Sequence, residues 1–163
     1  MRQLWAPWRV DFITGPKASG CFFCEAAQAP PERDAALHVL ARTEHCLVIM
    51  NKYPYNNGHL LIAPRAHLGS LVDLPQPATF DLASLTQRAL RALAATLQPD
   101  GFNLGINQGK VAGAGVADHV HQHVVPRWDG DTNFMPVVGD VKVMNEHLDS
   151  SYRAIRAGFD RAT

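Results

Sequence analysis

The stretch His119-Val120-His121-Gln122-His123-Val124-Val125-Pro126 decides how the rest of this chain is understood. Its histidines recur with period two, the period of a β-strand. A strand over 119–125 therefore turns all three imidazoles to one face, with Val120 and Val124 on the other. Successive rings then stand about 7 Å apart. Three polar rings in a row are expensive to bury unless they are used, and metal binding and proton chemistry are the uses imidazole serves. Composition points the same way. The chain holds 8 His in 163 residues, while Lys+Arg and Asp+Glu number 15 each and the formal net charge is zero. Such balance excludes a nucleic-acid binder working by bulk positive charge, and equally an acidic tail protein.

Working outward from the triad, the chain has the length of one domain, 1–163. It divides into an N-terminal arm (1–20), a core (21–128) and a C-terminal extension (129–163). Trp5 and Trp8 give the arm apolar weight and suggest that it docks on the rest. Leu37–Arg42, His45–Asn51, His59–Ala63, Phe102–Asn107 and His119–Val125 are short, β-rich runs bounded by turn signals. Among the turns is Tyr53-Pro54-Tyr55-Asn56-Asn57-Gly58. A short helix is expected after Cys24, ending by Pro30-Pro31. Phe80, Leu82, Leu85, Ala89, Leu90, Leu93 and Leu97 recur at helical spacing over 77–97, and a last helix is expected from Lys142 to about Phe159. The order β-β-β-α-β-β-α is that of an α+β protein, an antiparallel sheet with helices to one side.

No run approaches the roughly 20 apolar residues of a membrane helix, and Met1-Arg2-Gln3-Leu4-Trp5 lacks an apolar signal core. Of three cysteines, two form Cys21-Phe22-Phe23-Cys24. That spacing suits a redox pair or half of a metal site in a reducing compartment, and the expected location is the cytoplasm. A tetrahedral site needs two further donors.

His-Val-His-Gln-His-Val-Val resembles the His-φ-His-φ-His-φ-φ signature of the histidine triad (HIT) family of nucleotide hydrolases and transferases, where φ is apolar. Gln122 departs from it. The likeness runs from about Cys21 to Trp128. It takes in Asn51 and His59, which flank the Tyr-Pro-Tyr-Asn-Asn-Gly turn, and the Asn107-Gln108-Gly109 segment. Leu4-Trp5-Ala6-Pro7-Trp8-Arg9 and Val125-Pro126-Arg127-Trp128 resemble the subgroup containing diadenosine tetraphosphate hydrolases and phosphorylases.

The resemblance implies a HIT-like fold with one long helix and a C-terminal helix, usually paired as a homodimer. It implies His121 as the nucleophile toward an α-phosphate, forming a nucleotidyl-histidine. His123 is then a hydrogen-bond donor to phosphate oxygens and the leaving group, and His59 shapes the phosphate pocket. Asn51 binds ribose hydroxyls, Asn107 meets a phosphate oxygen or holds the catalytic face, and Gly113 and Gly115 let backbone N–H groups approach phosphate. The zinc-bearing branch of the family further implies one structural zinc on Cys21, Cys24, His67 of Pro64-Arg65-Ala66-His67, and His119. Such a closed shell has no place for a reactive water.

Many relatives carry a polar side chain a few residues before the triad. Here the stretch is Gly113-Ala114-Gly115-Val116. The expected substrate is a dinucleoside polyphosphate such as diadenosine tetraphosphate, with water as acceptor. The alternatives are a phosphorylase, an adenosine phosphoramidate hydrolase, or a nucleotide-binding module without turnover. His45 and Cys46 are expected as neighbouring strand residues whose side chains point to opposite faces, a poor pair of ligands, while His38 and His147 have no motif support and are expected on the surface.

Overall fold

A computed structural model describes residues 20–132, 144 and 146–162. The Trp5/Trp8 arm and Lys142, where the last helix was expected to begin, lie outside the described residues. Five strands form one antiparallel sheet in the order β1-β2-β3-β5-β4. They are β1 (Val39–Arg42), β2 (Cys46–Met50), β3 (Leu60–Pro64), β4 (Gly101–Ile106) and β5 (Gln122–Arg127). Among the described residues four α-helices accompany them: α1 (Phe22–Gln28), α2 (Asp34–Leu37), α3 (Gln76–Leu97) and α4 (Leu148–Arg161). The α+β expectation holds.

The strands β2 and β3 are buried along their whole length because both faces of the sheet are covered. That is why they read as unbroken apolar runs rather than alternating ones. Helices α3 and α4 cover one face, with Leu82, Leu85, Ala89, Leu93, Ile155 and Phe159 packed on Leu40, Val48, Leu60, Ile62 and Val124. Phe23, Ala26 and Ala27 of α1 cover the other, against Val39, Leu47, Ile49, Leu61 and Ala63. Proline occupies the first turn of α3, and the helix stops at Gln98, a left-handed residue followed by Pro99. Phe80 falls off the buried stripe of α3 and is 64% exposed, against the sequence expectation.

The triad strand begins later than its alternation suggests. β5 starts at Gln122, so His119 and His121 precede it. Both neighbouring ladders end at that point, β4 at Ile106↔Gln122 and β3 at Ile62↔Gln122. Pro64, two residues further along β3, has no N–H to continue the pairing. The backbone N–H of Val120 turns instead to the carbonyl of Leu68, at 2.6 Å. Gln122, the departure from the family signature, donates from Nε2 to Thr86 Oγ1 on α3 at 3.1 Å, so its polar end is satisfied. Among the described residues no helix is long and apolar enough to cross a membrane.

Candidate active site and adjoining metal centre

Four side chains from three separate parts of the chain meet beside α1. The donor atoms of Cys21, Cys24, His67 and His119 all lie within 4.8 Å of one another. Cys21 Sγ is 3.2 Å from His119 Nδ1, Cys24 Sγ is 3.2 Å from His67 Nδ1, and Cys24 Sγ is 3.7 Å from His119 Nδ1. A tetrahedral ion with Zn–S near 2.3 Å and Zn–N near 2.05 Å needs sulfur–nitrogen edges of about 3.6 Å. The cluster is already close to that size. His119 Nε2 lies 2.8 Å from the Pro64 carbonyl, which can only accept, so Nε2 carries the proton and Nδ1 presents its lone pair to the thiols. This is the outer-shell bond that metal-ligating imidazoles use. The residues fit a metal ion.

The same reasoning assigns His121. Its Nδ1 lies 2.8 Å from the His119 carbonyl, so Nδ1 carries the proton and Nε2 holds the lone pair. The side chain is buried, and burial, the largest cause, pushes its pKa below the ordinary histidine value. The ring is therefore a neutral imidazole with an open lone pair, the state a nucleophile requires.

His123 presents the opposite polarity. The backbone N–H of Tyr55 donates to His59 Nδ1 at 3.0 Å. The Asn51 amide is oriented by the Tyr53 N–H on its Oδ1, at 2.9 Å, so its Nδ2 also faces His59 Nδ1, at 3.3 Å. His59 Nδ1 is thus an acceptor and Nε2 bears the proton, which it donates to His123 Nδ1 at 2.9 Å. His123 must then carry its own proton on Nε2, a buried atom with no hydrogen-bond partner. Burial, then the neighbouring His121, lowers the His123 pKa to about 4. His121 and His123 are 5.0 Å apart between ring centroids. One neutral ring offers a lone pair and the next offers an N–H.

Asn107 follows β4, one step beyond the Ile106↔Gln122 pair and so abreast of His121. Gly113 adopts φ +85° with the Asn107 amide 4.0 Å from where a Cβ would stand, and Gly115 faces open space. The hydrogen bonds described for these residues do not reach the histidines. A cavity of about 440 Å³ is bordered by Asn51 and His59, with Met50, Gly58 and Leu148 among its other walls. His121 and His123 do not line it.

Two aromatic residues that motif reading passed over frame the site. Phe23, fully buried, lies 4.9 Å from the rings of both His119 and His121. Tyr55, half exposed, stacks 5.5 Å from His123 and lies tilted, 4.8 Å from His59. Phe23 stands between the two cysteines and Tyr55 within the turn before His59, which was the available signal.

His38 is not a surface residue. Its side chain is 12% exposed, because α4 folds back over β1 and brings Asp149 within 2.9 Å and the Tyr152 ring to 5.4 Å. His147 is exposed, as expected, and its Nδ1 accepts from the Asp149 N–H at the start of α4. Cys46 is buried in β2, with its thiol pushed up to about 12 mainly by burial. Arg127 grips Asp131 with two nitrogens, at 2.6 and 2.7 Å.

A family model described as the HIT domain matches residues 32–130. The chain belongs to the histidine triad family. Several known proteins are similar to it along most of its length. An AP-4-A phosphorylase of Mycobacterium tuberculosis is 34% identical over 99% of this chain and 86% of that protein. A Zn-bound histidine triad protein of Mycobacterium smegmatis is 30% identical, with a TM-score of 0.68, over 87% of this chain and 94% of that one. An uncharacterized HIT-like protein of Methanocaldococcus jannaschii is 30% identical over 83% of this chain and 98% of its own length.

Proposed function

We propose that this chain is a nucleotidyl hydrolase/transferase that cleaves a dinucleoside polyphosphate, such as diadenosine tetraphosphate, at an α-phosphate through a nucleotidyl-His121 intermediate. The observation that carries this reading is the proton arrangement. His121 Nε2 is a lone pair because His119 O holds the Nδ1 proton, and His123 Nε2–H is a buried donor without a partner. His121 Nε2 forms a bond to the α-phosphorus, and the bond to the bridging oxygen breaks with its electrons leaving on the polyphosphate. The ring becomes an N-phosphoryl imidazolium, whose positive charge the His119 carbonyl stabilises through Nδ1–H. His123 Nε2–H supports a phosphoryl oxygen or the departing oxygen. An acceptor then attacks phosphorus and His121 departs with its lone pair.

The chemistry of the leaving group supports a phosphoanhydride over a phosphoramidate. With a pKa of about 4, His123 is neutral near pH 7 and gives a hydrogen bond rather than a proton. Gly113–Val116 supplies no protic side chain either. A polyphosphate, with its second ionisation near pH 6, leaves as an anion without needing a proton, whereas an amine needs one.

The remaining roles follow the family pattern. Asn51 contacts ribose, Asn107 and the loop at Gly113 and Gly115 contact phosphate, and His59 holds the tautomer of His123. Zinc is the metal for Cys21, Cys24, His67 and His119; it supplies no reactive position and ties α1 to the triad. Two chains pair along the edge strand β4, where Leu104 is 48% exposed. The protein works in the cytoplasm on nucleotides, without nucleic acid or membrane.

Water is the first acceptor. The similarity to the M. tuberculosis phosphorylase favours inorganic phosphate as a second. Incubation with dinucleoside polyphosphates and adenosine phosphoramidates, with and without phosphate, tests the reading by product identity. A nucleoside monophosphate identifies water as the acceptor, and a nucleoside diphosphate appearing only with phosphate identifies phosphorolysis. Cleavage of phosphoramidates alone overturns the proposal.

A further inference from the structure

Phe23 is the side chain where the metal cluster and the nucleophile meet. Its ring is 4.9 Å from His119 at 39° and 4.9 Å from His121 at 37°, and it has no solvent exposure. It stands between Cys21 and Cys24, which converge on His67 and His119. α1 has seven residues and no side-chain cap. A helix this short does not hold itself together, so its place is set by what it is tied to. The ties are the two thiols at one end and the burial of Phe23, Ala26 and Ala27 on the sheet.

The described hydrogen bonding of the His121 ring is a single bond, Nδ1 to the His119 carbonyl. One bond fixes which nitrogen bears the proton. It does not fix the swing of the ring about that bond, and the swing decides where Nε2 points. Two rings limit it. The Phe23 ring lies on one flank and His123 meets the ring edge-on, at 60° and 5.0 Å. Phe23, in turn, is held by the helix that carries two of the cluster's four donors.

We propose that Phe23 is a positioning residue: α1, clamped by the metal cluster, seats the Phe23 ring against His121 and keeps Nε2 aimed at the α-phosphorus. The inference rests on the nucleotidyl-His121 reading above. In-line attack tolerates little error, and a displacement of about 1 Å lowers a rate on the order of 100-fold. Phe23 touches no substrate in this scheme. Its loss therefore lowers the rate of the covalent step and leaves nucleotide affinity in place.

The test uses the full chain with its metal, as wild type and as Phe23→Leu. Four quantities are read: metal per chain, AMP affinity by calorimetry, KM and kcat on diadenosine tetraphosphate, and the single-turnover rate of nucleotidyl-His121 formation. The expected result is wild-type metal content, AMP affinity within about threefold, and a single-turnover rate down by on the order of 10- to 100-fold, with the loss in kcat rather than KM. A variant that labels His121 at the wild-type rate overturns the proposal. So does a rate loss that tracks metal loss one for one, since Phe23 then only supports the cluster. Phe23→Met, a flexible side chain that fills the same gap, gives the same readout should the leucine variant not fold. If wild type forms no nucleotidyl-His121 from any dinucleotide, the functional reading fails. If wild type forms it and both variants form it as fast, only the role of Phe23 fails.

Discussion

His59 Nε2 lies 2.9 Å from His123 Nδ1, 64 residues along the chain, and the direction of that bond is imposed from the far side of the His59 ring. The Tyr55 N–H occupies His59 Nδ1, which leaves His59 no choice but to donate. The proton of His123 is thereby placed on Nε2, on the side where a phosphate is expected. Replacing His59 with alanine removes the lock while leaving His123 in place. The expected outcome is a fall in kcat on the order of 100-fold, with nucleotide affinity changed far less, measured by steady-state kinetics beside calorimetry. An unaltered kcat shows that the tautomer of His123 does not matter.

His121→Ala removes the nucleophile and leaves the pocket lined as before. Turnover falls by at least about 10⁴-fold and AMP binding survives. Mass spectrometry of wild type quenched during turnover is expected to show the nucleotide mass on the peptide containing His121. Turnover at the wild-type rate in the variant contradicts the covalent route.

Protein purified without chelator is expected to carry about one zinc per chain by elemental analysis. Cys24→Ala, which removes one donor from the cluster, binds less than half of that. Removing the metal lowers the melting temperature on the order of 10 °C, because a ligand bound only by the folded state contributes several kcal/mol. Equal melting curves with and without chelator argue that the cluster is not a structural metal site.

His123 contributes to the pH dependence of stability beside His119 and His121, whose pKa values burial lowers in the same direction. Its folded pKa of about 4 lies below the ordinary 6.5, so the unfolded chain binds the proton more readily between those values. The contribution is fully present above pH 6.5 and is lost as pH falls from 6.5 towards 4. Thermal melts across that window are expected to show a decline that is shallower in His123→Asn. Parallel declines in the two proteins exclude His123 as its source.

Gly58 immediately precedes His59 and adopts φ +72°. A Cβ there would stand 2.5 Å from Leu97 Cδ1 and 3.3 Å from Pro126 Cγ. Gly58→Ala therefore adds left-handed strain to a crowded contact. A loss of about 1–3 kcal/mol is expected by urea denaturation, together with slower turnover as His59 shifts. Wild-type stability in this variant shows that Leu97 and the backbone yield without penalty.

Much of the architecture was legible because it depends on local periodicity. The stripe through Leu82, Leu85, Ala89 and Leu93 marks α3, and the β2 and β3 runs between turn signals mark the central strands. The period-two histidines marked a strand, but where that strand starts depends on its neighbours. Pairing ends where β4 runs out and where Pro64 of β3 has no N–H to give, and neither is visible within 119–125. His38 was misplaced for a similar reason, since its partner Asp149 comes from a helix 111 residues away.

The amino-acid sequence alone nominated the side chains for the proposed chemistry. The His-x-His-x-His spacing, the Cys21-x-x-Cys24 pair and the Pro64-x-x-His67 element are short-range patterns that residue type and spacing specify. Only the tertiary structure decided what state those side chains are in. Which nitrogen of His59, His119, His121 or His123 bears the proton is set by a carbonyl, an N–H or another ring brought up by folding. Cys21 meets His119 across 98 residues, and the Phe23 ring meets that of His121 from as far along the chain. A hydrogen bond fixes a tautomer only once its partner is in place, and these partners come from distant strands and turns.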